Sequence, residues 1–480
     1  MRILLFLIFS VFYLYAQPGE RLAALVDSYK SGPELKQASW SLYAVNLGTN
    51  EVLLSLNPEL KLAPASNLKV LTSAAAITYF GPEHRFSTIV GYSGRIADEI
   101  LEGDLIILGG GDPTFCSERI PGSPGLKEIL SRIKNQVDKE GIKYISGGIT
   151  VDVSFFEDYV IPDYWPWIDI GNYYGAGVSA LCVNENYYTL KFQPGKKEGD
   201  QVLILGTDPE LRNTTIINEV RTGSAGSGDN AYIYFIPINN SLVVKGTVPA
   251  GEDGFSIKGN LANPAHFFAA LVEKALFDAG IKTGKPFSVT DKRTDELTKI
   301  LEFTSPPLIE IIKVINKKSN NLYTEQLLSL LAQKRGGRGG HKAGILGLYE
   351  FLRENKIFND GISLYDGSGL SRNNCITTKT FAGVLGFMAK SPHFQLYFDS
   401  LPVAGDENDL GGFKKFGKGT PLERKLFVKS GLINGVRAFS GYLLNKKNEM
   451  IAFSFIANNF QGTSQKIDDI HKDLLMGLTD

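Results

Sequence analysis

Residues 64–77 have the sequence PASNLKVLTSAAAI, in which Ser66 and Lys69 open a long apolar run. The run predicts a buried helix that ends before Gly81, and Pro64 keeps the helix from extending upstream. Residues three apart in a helix lie on one face, about one turn apart, so the hydroxyl of Ser66 and the amine of Lys69 can meet. A buried lysine has a lowered pKa and can take the proton of a serine, which makes this pair a candidate nucleophile and base.

The pattern alone leaves other interpretations open. Serine is a favoured N-cap residue, so Ser66 could simply cap the helix. A second Ser-x-x-Lys pattern occurs at Ser131 and Lys134, in a polar stretch that predicts an exposed helix. The assignment of chemistry to Ser66 therefore depends on partners elsewhere in the chain.

Length and composition narrow the class of protein. A chain of 480 residues is too long for one compact core and predicts two or three domains. The formal net charge of -1 argues against nucleic acid or an anionic membrane surface as a partner. The 3 cysteines are far apart and the 5 histidines have no metal-ligand spacing, so we expect no disulfide framework, no metal and no other cofactor.

The first sixteen residues differ from the rest. A positive start, Met1-Arg2, precedes an apolar run at 3–15, and Ala16 offers a small residue for cleavage. This pattern predicts a secretory signal peptide at 1–16, the alternatives being an uncleaved anchor or a buried helix. We expect a secreted or periplasmic protein whose mature chain, from residue 17, has no transmembrane segment.

The strand and turn pattern predicts an α/β (α+β) fold. Two strands near the start and three near the end can form one antiparallel five-stranded sheet, with terminal helices on one face and the Ser66 helix on the other. Between them, short strands and Gly, Pro or Asn turns dominate at 86–260. We therefore predict an α/β domain made of 17–85 and 261–480, carrying one or two inserted β-rich domains at 86–260.

Two further triplets could complete a site. Ser319-Asn320-Asn321 lies between two predicted helices, where Ser319 could relay a proton and Asn321 could hold a peptide group, although helix capping is the alternative. Lys429-Ser430-Gly431 lies on an apolar strand and offers a cation, a hydroxyl and close backbone approach. Similar triplets occur in less suitable places, namely Ser371-Arg372-Asn373, Lys30-Ser31-Gly32 and Lys282-Thr283-Gly284.

In this order, Ser66-x-x-Lys69, Ser319-x-Asn321 and Lys429-Ser430-Gly431 resemble the three motifs of penicillin-binding proteins and serine β-lactamases. The long insertion is similar to one branch, the D-alanyl-D-alanine carboxypeptidase/endopeptidase family of class C low-molecular-mass penicillin-binding proteins. Further segments that resemble this branch are Gly103 to Pro113, Trp165-Pro166-Trp167, Asp366 to Arg372, Leu401 to Gly405 and Ser440-Gly441-Tyr442.

The resemblance implies that 17–85 and 261–480 form a β-lactamase/transpeptidase-like catalytic domain and that 86–260 forms two smaller inserted domains. It implies an enzyme that cleaves D-Ala-D-Ala ends or cross-bridges of peptidoglycan peptides and is inhibited by β-lactams. It implies an oxyanion hole from the N–H groups of Ser66 and Leu432, a carboxylate site at Lys429, Ser430 and Gly431, and a contact of Asp169 with a diaminopimelate side chain. The family has Thr or Ser where this chain has Leu432. That loss of a hydroxyl removes one hydrogen bond to a charged group, worth about 1.5–3 kcal/mol.

Three functions remain open at this stage. The first is a serine-type carboxypeptidase and endopeptidase that forms an acyl-enzyme on Ser66. The second is a β-lactamase or esterase with the same site, and the third is a peptidoglycan-binding homologue without activity. The sequence leaves the oligomeric state open.

Overall fold

The computed structural model describes residues 18–156, 161–211, 214–235, 241–251, 254–358 and 360–480. The predicted signal peptide at 1–16 lies outside these ranges. The chain groups into two compact units. The first contains the described residues of Met1–Pro82 together with Ile312–Ser319 and Ile345–Asp480, and the second contains those of Glu83–Ile311 and Asn320–Gly344.

The described residues of both units contain helices. They are α1 (Pro18–Ser31), α2 (Lys69–Phe80), α3 (Leu126–Lys139), α4 (Trp167–Ile170), α5 (Pro264–Asp278), α6 (Leu308–Lys318), α7 (Asn321–Leu331), α8 (His341–Glu354), α9 (Thr378–Met388), α10 (Phe394–Asp399) and α11 (Ser464–Gly477). Short 3-10 turns lie at Ala65–Leu68, Tyr173–Gly175, Asn184–Asn186 and Ala332–Arg335. Among the described residues, no helix has both the length and the apolar character needed to cross a bilayer.

The strands of the second unit vary from two to nine residues in length, and the last two strands of the chain also have nine residues each. In chain order, the strands are β1 (Ser39–Asn46), β2 (Val52–Leu56), β3 (Ser87–Tyr92), β4 (Arg95–Ala97), β5 (Ile100–Glu102), β6 (Leu105–Leu108), β7 (Tyr144–Ile145), β8 (Ile149–Asp152), β9 (Tyr187–Gln193), β10 (Leu203–Asp208), β11 (Thr215–Gly223), β12 (Asn230–Phe235), β13 (Ser241–Pro249), β14 (Phe255–Asn260), β15 (Lys282–Thr283), β16 (Ser288–Thr290), β17 (Thr298–Thr304), β18 (Leu426–Ile433), β19 (Val436–Leu444) and β20 (Met450–Asn458).

The first unit is built on an antiparallel five-stranded sheet in the order β18-β19-β20-β1-β2. This confirms the predicted pairing of two early strands with three late ones. One face packs on the terminal helices, where Leu22 of α1 and Ile467 and Leu474 of α11 share a core with Phe439 and Phe455 of the sheet.

The opposite face of this sheet carries the polar groups. Lys429 of β18 is paired with Ser440 of β19, and directly paired residues point to the same face of a sheet. The Asn67 amide of the 3-10 turn donates to the Ser440 hydroxyl at 2.8 Å. Tyr442 donates to the Leu385 carbonyl of α9 at 2.8 Å on the same face. This face of the sheet therefore carries Lys429 and also binds the turn that carries Ser66.

The described residues of the second unit form four sheets, in the orders β16-β8-β6-β3-β17, β15-β7-β5-β4, β10-β9-β14 and β11-β13-β12. They also form two hydrophobic cores, one with Val90, Ile129 and Phe268 and the other with Ile233 and Val244. These two cores are the observation on which we base the proposal of two inserted domains.

The second unit extends beyond the insertion boundary predicted at 260. Helix α5 buries Phe268, Val272 and Leu276 in the same core as strands β3 and β8. The sequence analysis places this helix in the other domain, because the stretch dominated by short strands and turns ends at 260. The amino-acid composition changes where the strands of the insertion end, but the hydrophobic core of the second unit continues through helix α5.

Candidate active site

Ser66 lies in the tight 3-10 turn Ala65–Leu68 that leads directly into α2. The turn begins with Ala65 in the left-handed region, at a φ of 47°, which non-glycine residues rarely adopt. Ser66 is half-buried, and Lys69 is fully buried at the start of the helix. The Lys69 Nζ donates to the Ser66 Oγ at 2.9 Å. The predicted meeting of serine and lysine is thus present, on a 3-10 turn rather than within an α-helix.

The loop at residues 366–374 supplies a second partner for Lys69. The Lys69 Nζ donates to the Ser368 carbonyl at 2.7 Å. The fully buried Asp366 carboxylate holds the loop, accepting from the N–H groups of Gly369 and Ser371 at 2.8 and 2.6 Å and from the Asn374 amide at 2.7 Å. The loop therefore fixes the position of the lysine amine.

The same loop is pressed against the nucleophile turn. Gly369 has a φ of 83°, and a Cβ atom built there would lie 1.8 Å from the Ala65 carbonyl oxygen. The Thr72 hydroxyl of α2 donates to the Gly367 carbonyl at 2.8 Å. The sequence analysis quoted this segment but assigned it no role. An aspartate followed by two glycines and an asparagine was the available signal, since that composition is typical of a tight loop held by its own carboxylate.

Lys429 and Ser319 form the second polar pair of the first unit. The Lys429 Nζ donates to the Ser319 Oγ at 3.0 Å and to the Ser430 carbonyl at 2.6 Å. Burial lowers the pKa of Lys429 well below its usual value, and the positive charges of Lys69 and Arg437 lower it further. Ser319 follows α6 with a φ of 57°, a left-handed conformation that turns the chain at the end of the helix.

Strand β18 is the edge of its sheet and leaves part of that edge open. The Val428 N–H donates outward to the Pro402 carbonyl at 2.9 Å. Alternate residues of a strand direct their N–H groups to the same side, so those of Ser430 and Leu432 also point away from β19. A Cβ atom on Gly431 would lie 2.4 Å from the Pro64 carbonyl oxygen, so only glycine allows the strand to approach the turn. The Leu432 side chain is 54% exposed.

Asn321 and Asp169 belong to the second unit, where both meet Tyr174. The Asn321 amide donates to the Tyr174 carbonyl at 2.8 Å. Burial raises the pKa of Tyr174, and the nearby Asp169 carboxylate, which also hydrogen-bonds the phenol, raises it further. The structure thus brings these two predicted residues together on one tyrosine.

Asn320 confirms part of the capping alternative, because its side chain accepts from the Tyr323 N–H at 2.9 Å and caps α7. Its amide donates to the buried Glu185 carboxylate at 3.2 Å. Glu185 also accepts from the Ser117 hydroxyl at 2.8 Å and from the Arg119 Nε at 2.5 Å. The sequence analysis missed Glu185, which fixes the residue between Ser319 and Asn321.

Known proteins with a similar sequence cover almost the whole chain. A model of the D-Ala-D-Ala carboxypeptidase 3 (S13) family matches residues 22–476. A D-alanyl-D-alanine carboxypeptidase from an Actinomadura species is 30% identical over 461 residues, which are 92% of this chain and 82% of that protein. The D-alanyl-D-alanine carboxypeptidase DacB of Haemophilus influenzae is 25% identical and covers 87% of this chain and 85% of its own length.

The fold has a close counterpart among solved structures. The crystal structure of penicillin binding protein 4 from Haemophilus influenzae matches with a TM-score of 0.82 at 23% identity, covering 96% of this chain and 99% of that one. This likeness supports the β-lactamase/transpeptidase-like architecture with a long insertion.

Proposed function

Because the chain belongs to the D-Ala-D-Ala carboxypeptidase 3 (S13) family, we propose that it cleaves peptidoglycan stem peptides with Ser66 as the nucleophile. The chain is a hydrolase of the serine peptidase type and acts as a D-Ala-D-Ala carboxypeptidase. The observation that carries the assignment of the site is the 2.9 Å contact of the Ser66 Oγ with the buried Lys69 Nζ. No metal or other cofactor enters the chemistry proposed here.

Acylation begins at the Ser66 hydroxyl. Lys69, in its neutral form, takes the hydroxyl proton while the Oγ attacks the carbonyl carbon of the penultimate D-Ala. The backbone N–H groups of Ser66 and Leu432 donate to the developing oxyanion, and the open edge of β18 supports this role for Leu432. Loss of one such donor costs about 10²–10³ in rate in other serine hydrolases.

The leaving amine is protonated from the opposite side of the site. Ser319 passes a proton to the nitrogen as the carbon–nitrogen bond breaks, and Lys429 resupplies the hydroxyl. Burial keeps the pKa of Lys429 low, which makes it a ready proton donor once charged. The D-Ala carboxylate binds Lys429 and Ser430, with Gly431 allowing close approach. Water then hydrolyses the ester and restores the Ser66 hydroxyl.

Two residues of the second unit have proposed binding roles. Asn321 holds the substrate backbone, and Asp169 meets the free end of a diaminopimelate side chain. Their shared partner, Tyr174, supports a common binding surface within that unit. We extend the proposal to cross-linked peptides, so that the enzyme is also an endopeptidase.

β-Lactams imitate the acyl-D-Ala-D-Ala end and should acylate Ser66. One similar protein, from Dictyostelium discoideum, is named penicillin-sensitive carboxypeptidase A, and this supports the proposal. We also propose that residues 1–16 direct the chain to the periplasm or cell exterior, where its substrate lies.

Release of D-Ala from a pentapeptide that ends in D-Ala-D-Ala tests this function. We expect release by the purified wild type and by Ser131→Ala, and none above background from Ser66→Ala. A folded wild type that releases no D-Ala would contradict the carboxypeptidase assignment. Rapid turnover of a chromogenic cephalosporin in the same preparation would favour the β-lactamase alternative.

A further inference from the structure

A cavity of about 510 Å³ in the first unit opens directly beside Ser319, Lys429 and Ser430. Its other walls come from the loop at residues 412–417, from Arg437 of β19 and from α11. In the mechanism above, Ser319 and Lys429 deliver the proton to the leaving nitrogen. The cavity therefore lies on the leaving-group side of the scissile bond.

The cavity carries an excess of positive charge. Lys318, Lys415 and Lys472 line it, and none of them has an ion-pair partner among the residues that the structure describes. Two other cations of the lining are neutralised, Lys317 by Asp409 and Arg437 by Asp468.

Asp469 is the remaining acid of the lining, and it accepts from the Gln465 amide at 3.1 Å. One acidic group thus faces three unpaired lysines, in addition to Lys429. The charge of the cavity favours an anionic occupant.

The loop that carries Lys415 packs firmly against the sheet. The neighbouring Phe413 and Phe416 both pack on Phe439 of the sheet, with ring centroids 5.2 and 5.5 Å away. A Cβ atom on Gly411 would lie 2.6 Å from the side chain of Pro402, so the loop packs closely against Pro402. Lys415 therefore projects from a backbone that is fixed on both sides.

We propose that this cavity receives the anionic stem peptide attached to the leaving amine, and so favours cross-linked peptides over substrates that release only D-Ala. The inference rests on the proposed function. Free D-Ala has a single carboxylate, which Lys429 and Ser430 already satisfy. In a cross-link the leaving amine belongs to a diamino acid whose own stem peptide carries further carboxylates, and those need cations farther along the cavity.

The reaction is the same acyl transfer with a larger leaving group. The Ser66 oxygen bonds to the D-Ala carbonyl carbon, the carbon–nitrogen bond breaks, and the nitrogen leaves as an amine that carries the second stem. Water then cleaves the ester to a carboxylic acid and restores the hydroxyl. No oxidant, reductant or further reactant is needed.

The test compares kcat/KM for a cross-linked muropeptide dimer with that for a monomeric pentapeptide, at low ionic strength. We expect Lys415→Gln and Lys472→Gln each to lower the dimer-to-monomer ratio about three- to tenfold, and added salt to narrow this difference. Matched controls are Lys414→Gln, whose Nζ donates to the Glu407 carbonyl, and Lys466→Gln, which is exposed outside the cavity. Both controls should keep the wild-type ratio.

A dimer with amidated carboxylates on the leaving stem sharpens the test, because it should respond to neither lysine substitution. An unchanged ratio in folded Lys415→Gln, Lys472→Gln and the double variant would overturn the inference. So would a wild type that releases D-Ala and binds penicillin covalently but leaves the dimer intact, while the carboxypeptidase assignment and the role of Ser66 would survive. Failure of D-Ala release and of penicillin acylation would instead reject the proposed function.

Discussion

Two segments of this chain contain a serine and a lysine three residues apart, and they have opposite environments. At Ser66 and Lys69 the lysine is fully buried, and its amine contacts both the serine hydroxyl and the Ser368 carbonyl. At Ser131 and Lys134 the serine is exposed on the regular helix α3. Among the described contacts, no hydrogen bond joins these two side chains.

The difference is not in the spacing. A separation of three residues brings both pairs close, on a 3-10 turn at Ser66 and on an α-helix at Ser131. At Ser66, a left-handed residue tightens the turn, and a loop 300 residues later closes over the lysine. Chemistry at a short motif therefore depends on what distant parts of the chain place around it.

The three Lys-Ser/Thr-Gly triplets of the chain also differ in their burial. Lys429 is 1% exposed and contacts Ser319, whereas Lys282 is exposed on the short strand β15 and Lys30 is exposed at the end of α1. The literal Lys-Thr-Gly at 282–284 is thus not the one beside a serine hydroxyl. An isolated pattern is informative only together with its burial.

The largest effect is expected from removing the buried amine. Lys69→Met keeps length and apolar packing but removes the base, so the rate constant for acylation by penicillin should fall by about 10³ or more. Lys134→Met is the matched change in the second pattern and should leave that rate within twofold. Stopped-flow acylation measures both, and a Lys69→Met variant that still acylates within tenfold of wild type would contradict the role of the amine.

A smaller effect is expected from loosening the loop that holds Lys69. In Gly369→Ala, the new methyl group collides with the Ala65 carbonyl, so we expect a loss of about 3 kcal/mol or more in the free energy of unfolding. Displacement of the turn should also slow acylation about 10²-fold.

Gly419→Ala is the control for Gly369→Ala, because Gly419 also has a positive φ, of 72°, but open space around its Cβ position. It should lose only about 1–2 kcal/mol and acylate normally. Urea unfolding and acylation rates separate the two substitutions. Equal losses in both would mean that backbone conformation, rather than contact with the nucleophile turn, sets the cost.

A still smaller effect is expected at Glu185, which acts through Asn320. Glu185→Gln weakens the hydrogen bonds that Asn320 and Arg119 donate to this side chain. The two neighbours of Asn320, Ser319 and Asn321, should then shift, and acylation should slow about tenfold. Glu198→Gln, an exposed acid bonded to Ser224, is the matched control and should have no effect. An equal acylation rate in wild type and Glu185→Gln would remove Glu185 from the list of positioning residues.

His471 is fully buried, as Lys69 is, but its substitution should leave the rate of acylation unchanged. Burial, and then Arg437, lower its pKa to about 3, and neither ring nitrogen has a hydrogen-bond partner among the described residues. It packs between Phe439 and Phe455. We therefore assign His471 to the core and not to catalysis.

The pH dependence of stability checks this assignment. The unfolded histidine takes a proton below about pH 6.5, while the folded one stays neutral down to about pH 3. The contribution of neutral His471 to the free energy of unfolding is therefore complete above about pH 6.5. This contribution falls as the pH drops from about 6.5 toward 3, by at most roughly 1.4 kcal/mol per pH unit. In His471→Phe this part of the acid slope should disappear. Urea unfolding between pH 7 and 4 measures it, and an unchanged slope would contradict the buried neutral state.

Much of the fold followed from local patterns. The two strands near the start and the three near the end predicted the five-stranded sheet, because alternation and turn chemistry are local properties. The extent of the second unit did not follow, since α5 has an apolar face that suits either unit and only its packing on β3 and β8 decides.

The site was predictable where residue type and order carried the signal. Ser66, Lys69, Ser319 and Lys429 were predicted in this way, and the first unit brings them into two hydrogen-bonded pairs. Asp366 was not assigned a role, because its importance comes from burial and from the contact of its loop with the distant Lys69. Glu185 was missed, because its importance comes from burial and from donors distant in sequence.

The most direct test of the central claim is the identity of the residue that penicillin modifies. The purified protein is labelled, digested and analysed by mass spectrometry, with Ser66→Ala and Ser131→Ala treated in parallel. We predict one adduct, on the peptide that contains Ser66, lost in Ser66→Ala and kept in Ser131→Ala. An adduct on Ser131, or D-Ala release by a Ser66→Ala protein, would contradict the assignment of Ser66 as the nucleophile.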